Sequence, residues 1–165
     1  MKLIHLSDLH IGKKVNEFSM VEDQKYILRQ ILQIIEEEQP DSVLMAGDIY
    51  DKSVPSAEAV ALFDDFLTRL SRRRIPIFIT GGNHDNVRRL SFGGKILCNS
   101  QIYVSPVFAG KIEPVVLEDQ YGQVAIFPLP FLRPAHVRYA YPEKEIDSYE
   151  TAVKTAIDDM TILPE

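Results

Sequence analysis

The chain has 165 residues, a single cysteine and a formal net charge of −6. That length predicts one domain with a real core, and a lone cysteine excludes an internal disulfide and suits a reducing cytoplasm. The opening MKLIHLSDLH meets a charge at Asp8 and no apolar run reaches spanning length, so neither a leader nor a membrane anchor is expected.

KLIHLSD is a short apolar run ending in a polar residue, the pattern of a buried parallel strand. From Val21 to Glu38 the apolar positions Ile27, Leu28, Ile31, Leu32, Ile34 and Ile35 keep a helical period, and Pro40 stops that helix. SVLMAGD is a second buried strand. Ser56 after Pro55 opens a helix that runs through Phe63, Phe66 and Leu70, and SRRRIP closes it with cations at its negative end. IPIFIT is a third strand. Strand, helix, strand, helix, strand predicts right-handed crossovers and a parallel sheet covered on both faces. After Leu90, QIYVSP, PVVLED and QVAIFPLP read as strands, the last two joined at Gln120, Tyr121 and Gly122. RPAHVRYAYP reads as a polar loop, and Tyr149 to Met160 as a final helix.

Each of the three parallel strands ends in a polar cluster: Asp8-Leu9-His10, Gly47-Asp48-Ile49-Tyr50-Asp51, and Gly82-Asn83-His84-Asp85. Asp, Asn and Gly favour turns in any protein. Ligands in open α/β sheets, however, bind beyond the carboxyl ends of the strands, so three such clusters converge on one place. Carboxylate and amide oxygens with neutral imidazole suit manganese, iron or zinc better than magnesium. Asp8 and His10 flank Leu9, and an extended segment would turn both toward one ion. Asp48 is placed to bridge two ions and Asn83 to serve the second. Two ions about 3.5–4 Å apart clamp a phosphate and activate water for in-line attack.

DLH, GDIYD and GNHD, in that order with helices between, resemble the first three motifs of the calcineurin-like metallophosphoesterases. HLSDLHIGKK, GDIYDKSVPS and FPLPFLRP at Phe127 to Pro134 bring the likeness closer to the SbcD-type nucleases of DNA double-strand-break repair. The resemblance implies a layered α/β fold with a parallel-to-mixed sheet flanked by helices. It implies that Asp8, His10 and Asp48 hold one metal, and that Asp48 and Asn83 hold the other. His84 would act on the scissile phosphate or protonate the leaving oxygen, with Asp51 orienting it. The implied cofactors are two divalent ions, manganese foremost. The implied activity is that of a DNA exonuclease and endonuclease subunit, paired with an SbcC-type SMC-like ATPase and forming a homodimer.

Other residues are read more plainly. Asp85 braces its turn through backbone hydrogen bonds, His5 is a hydrogen-bonded core residue, His136 an exposed loop histidine and Cys98 a small buried hydrophobe. The Gly-His-x-His motif that completes the family's site does not occur in the chain, nor do the family's capping region and partner-binding helices. Residues 1–165 are therefore expected to be the N-terminal portion of the catalytic domain, with little or no activity alone. Two other functions stay open: a phosphoesterase for phosphoproteins or small phosphodiesters, and a non-catalytic interaction module.

Overall fold

The structure is a computed structural model, which describes residues 1–160. β1 (Leu3–Ser7), β4 (Ser42–Ala46), β5 (Ile77–Thr80) and β6 (Ile102–Val104) form a four-stranded sheet in that spatial order, with every pairing parallel. Between β1 and β4 come the two-residue strands β2 (Lys14–Val15) and β3 (Phe18–Ser19), then α1 (Val21–Glu38). α2 (Ala57–Ser71) links β4 to β5, and the short helices α3 (Val87–Leu90) and α4 (Gly94–Leu97) lead to β6. β7 (Val115–Asp119) and β8 (Gly122–Ile126) make a separate antiparallel hairpin, and α5 (Pro134–Ala140) and α6 (Tyr149–Asp158) follow.

The strands appear in the sheet in the order of their synthesis. Right-handed crossovers that always step in one direction put their helices on one face. α1 and α2 accordingly pack on each other and, together, on the face carrying Val43, Met45, Ile77 and Ile79. On the face away from α1 and α2, Phe78 is buried at 2 % exposure and stacks on Tyr103, so the sheet is covered there too. The expectation for His5 is corrected: β1 is an edge strand whose Leu3, His5 and Ser7 are exposed, so His5 is not a core residue. Cys98 is also exposed, on a single 3-10 turn, with its Sγ 3.0 Å from the Lys95 carbonyl.

Local chemistry explains the helix ends. Gln39 takes the left-handed conformation at φ 43° and Pro40 cannot continue α1. Ser56 caps α2 by accepting the Ala59 N–H, a contact whose loss costs about 1 kcal/mol. Of the arginines after α2, Arg73 is the one that ties the helices together. Its guanidinium donates to the carbonyls of Arg69 and Leu32 and pairs with Glu36 at 2.8 Å. α6 carries a capping box between Ser148 and Thr151.

RPAHVRYAYP is a helix, not a loop: Pro134 stands in the first turn of α5, where its fixed φ is preorganised. α5 and α6 close a second apolar cluster of Leu132, Val137, Ile146, Ala152 and Ala156 beside the main core. Among the described residues, no helix is long and apolar enough to cross a membrane.

Candidate metal centre

The registers Ser7 with Ala46 and Ala46 with Thr80 bring the carboxyl ends of β1, β4 and β5 level. Pairing continues past the strand ends. The His10 N–H donates to the Asp48 carbonyl at 2.8 Å, Ile11 to Ile49 at 2.9 Å, and Gly47 to Thr80 at 3.0 Å. The chain beyond β1 is not extended. Asp8 (φ 54°), His10 (φ 43°) and Asp48 (φ 46°) are all left-handed, a conformation that costs an L-residue about 1–2 kcal/mol. Three such residues in two adjacent turns are strain of the kind that collects at functional sites.

Those turns aim the side chains at one another. His10 Nε2 lies 3.8 Å from Asp8 Oδ1 and 3.8 Å from Asp48 Oδ2. His10, Asp48 and His84 each offer a ligand atom within 4.8 Å of the others. The His10 and His84 rings meet edge to face, with centroids 4.9 Å apart. Asp48 is the buried member at 7 % exposure. One of its oxygens faces His10, while the other accepts the His84 N–H at 2.9 Å. Asn83, His84 and Asp51 line a cleft of about 630 Å³ that does not include Asp8, His10 or Asp48 in its lining.

Several residues hold the turns of the site in place. The Asp85 carboxylate accepts the N–H groups of Ile49, Tyr50 and Gly82 at 3.0, 2.9 and 2.9 Å, so the brace expected of Asp85 spans two turns. Its charge, with burial the larger cause, pushes the Tyr50 hydroxyl up to about 12. Gln24 on α1 grips the first turn, donating to the Leu9 and His10 carbonyls and accepting from the Gly12 N–H. Nothing in the sequence sets it apart from any other polar residue near the start of an amphipathic helix. Gly82 is required for space: a Cβ there would fall 2.1 Å from Asp48 Oδ1.

His84 Nδ1 lies 2.9 Å from the Asp51 backbone carbonyl. This hydrogen bond is the main cause raising the imidazole above its ordinary value, burial opposes it, and Asp48, Asp51 and Asp85 reinforce it. Asp51 therefore orients His84 through its main chain, while its carboxylate stands 3.6 Å from His10 Nδ1. His10 Nδ1 is buried and has no hydrogen-bond partner.

The donor set fits a divalent cation. Carboxylate oxygens and an imidazole nitrogen face one another without a proton-sharing hydrogen bond, and three anionic side chains ring one histidine. A carboxylate beside the far nitrogen of a ligating histidine is the usual support for such a ligand. His136 is not part of the cluster; it lies on α5, facing a neighbouring cleft.

The family model for calcineurin-like phosphoesterases matches residues 1–146. The chain belongs to the calcineurin-like phosphoesterase family. Members of this family are hydrolases that use divalent metals, and the chain shares its α/β architecture. It is 38% identical over 162 residues to SbcD, a component of the SbcCD nuclease of Staphylococcus epidermidis. The match covers 98% of this chain and 42% of that relative, so the chain spans less than half of the relative's length.

Proposed function

We propose that this chain carries the first half of a two-metal phosphodiesterase site that cuts DNA, within a longer protein partnered by an SbcC-type ATPase in double-strand-break repair. The observation that carries this reading is the grouping of His10, Asp48 and His84, with Asp8 3.8 Å from His10, at the level ends of three parallel strands. The likeness to the Staphylococcus nuclease supports the nucleic-acid substrate and the ATPase partner. In this reading Asp8, His10 and Asp48 hold one ion, and Asp48 and Asn83 hold the other, with manganese the metal of choice. The bound metals supply Lewis-acid charge and an activated water. The cytoplasm is its compartment and a homodimer its assembly.

The chain's own residues do the rest. The Asp51 carbonyl holds His84 at Nδ1 on the wall of the cleft, which leaves Nε2 for the substrate. There His84 contacts the scissile group and gives a proton to the departing oxygen. Asp48 fixes the histidine's main chain and the metal side of the site at once.

The test is manganese-dependent digestion of linear duplex DNA by the chain extended to the length of its relative, with calorimetric titration of the metal. His84→Ala is expected to keep metal binding and lose about a hundredfold to ten-thousandfold in cleavage. Asp48→Ala is expected to lose both. Loss of metal in His84→Ala would make His84 a ligand, and substantial cleavage by Asp48→Ala would end the shared-ligand assignment. Cleavage of small phosphodiesters without DNA digestion would favour the phosphoesterase alternative.

A further inference from the structure

FPLPFLRP has no role in the metal cluster, yet the fold binds it to the site. The Phe131 N–H donates to the Gly81 carbonyl at 2.9 Å, which fastens the segment to the turn that bears Asn83 and His84. Leu132 is buried at 3 % exposure in the second apolar cluster. Arg133 follows immediately, exposed, with one side held by a hydrogen bond and the other by a packed core.

Its location is unusual. Arg133 lines the 630 Å³ cleft over His84 and also a second cleft of about 1240 Å³ running toward α5. Lys52 stands in the first cleft and Arg88 in the second. Among the described residues none of these three cations pairs with a carboxylate, although the chain is acidic overall. Asp85, which borders both clefts, is already engaged by three backbone N–H groups. Farther along, Tyr139 stands 92% exposed one turn after His136, and both line the second cleft. Unpaired cations spaced along a groove, ending at a bare aromatic ring, are what a single nucleic-acid strand requires.

We infer that this double cleft is a strand-binding subsite in which Arg133 clamps the phosphate next to the scissile one. Lys52 and Arg88 take phosphates on either side of it, and Tyr139 stacks a base. The inference rests on the phosphodiesterase reading and names the residues that would hold a polynucleotide strand beside the cut. A lone phosphomonoester would leave Arg133, Arg88 and Tyr139 without a partner.

Binding without turnover tests it. The 165-residue chain is titrated, in EDTA, against a short fluorescein-labelled single-stranded oligodeoxynucleotide, and anisotropy is read over a range of salt. Arg133→Ala is expected to weaken binding about tenfold and make the log-log salt slope shallower by about one. Arg133→Lys should restore the slope with part of the affinity, since charge returns without the planar fork. Tyr139→Ala should cost about tenfold with the slope unchanged, as loss of stacking rather than charge. Arg72→Ala, in the groove between the ends of α1 and α2 beneath the opposite end of the sheet, should change nothing.

No oligonucleotide binding by the wild type, unchanged binding in Arg133→Ala, or an equal loss in Arg72→Ala would each overturn the subsite. Circular dichroism checks that each variant is folded. Arg133-dependent binding in a protein whose extended form hydrolyses nothing would count against the phosphodiesterase reading alone. Hydrolysis with Arg133-independent binding would count against the subsite alone.

Discussion

Gly82→Ala is the smallest change that reaches the centre of the site. An ideal Cβ on Gly82 falls 2.1 Å from Asp48 Oδ1, 2.3 Å from the Asp48 nitrogen and 2.7 Å from its Cγ. Carbon–heavy-atom contacts settle near about 3.5–4.0 Å, so the two turns must separate by more than about 1 Å. A side chain alone could swing away, but the Asp48 nitrogen is main chain and cannot. The hydrogen bonds that cross between the turns are stretched with it: His84 N–H to Asp48 at 2.9 Å, and the Ile49 and Tyr50 N–H groups to Asp85 at 3.0 and 2.9 Å. Overpacking of about 1–3 kcal/mol plus roughly 1 kcal/mol of weakened hydrogen bonding gives a loss of about 3 kcal/mol. For a chain of this size that lowers Tm by about 6–12 °C. Displacing Asp48 should also weaken manganese binding about ten- to a hundredfold, the usual cost of disturbing a ligand's support. Scanning calorimetry and metal titration measure both. Gly94→Ala is the control, because its nearest neighbour is Val104 at 3.8 Å; it should stay within about 0.5 kcal/mol of wild type. Wild-type melting and metal affinity in Gly82→Ala would show that the two turns are not packed as described.

Asp85→Ala strands three backbone donors at once and should cost about 3 kcal/mol in urea unfolding, with no direct loss of a metal ligand; a change below about 0.5 kcal/mol would refute the brace. The Met1 amino group and Asp119 pair at 2.5 Å. This bond is the chief reason the amino group lies above its ordinary 8.0 and the carboxyl below its ordinary 3.8. The carboxylate's contribution is present above pH 3.8 and fades as pH falls through its lowered folded value. The amino group's contribution is present below pH 8.0 and fades as pH rises through its raised one. The stability gap between wild type and Asp119→Asn should therefore be widest between these limits and shrink on both sides; a gap that is flat with pH would exclude the pair as its source.

Elements whose residues all obey a single physical rule are legible in the sequence. α1 spans Val21–Glu38 because an apolar stripe, an uncapped but acidic start and Pro40 all agree. The three polar strand ends converge because a parallel sheet levels them, which periodicity alone implies. What the sequence hides is set by tertiary placement. His5 looks like any core residue in LIHLS, and only its strand's position at the sheet edge exposes it. The two-residue strands β2 and β3 turn on Asn16 and Glu17, both at positive φ, with no glycine to mark the turn. An extended backbone would project Asp8 and His10 together; left-handed geometry brings them together instead. Gln24 and the Asp51 carbonyl act through polar groups that every chain carries in abundance, so no local pattern distinguishes them.

Because the sheet is laid down in chain order, each new strand meets an edge that is already waiting when it leaves the ribosome. β4 finds β1, and β5 finds β4, with no gap held open for a later arrival. Every residue of the cluster has been made once His84 is added, and Asp85, the next residue made, is the one that locks the second and third turns together. Domains fold from their N-terminal side during synthesis. The cluster's residues can thus come together on three paired strands before the cleft wall that carries Arg133 has been made.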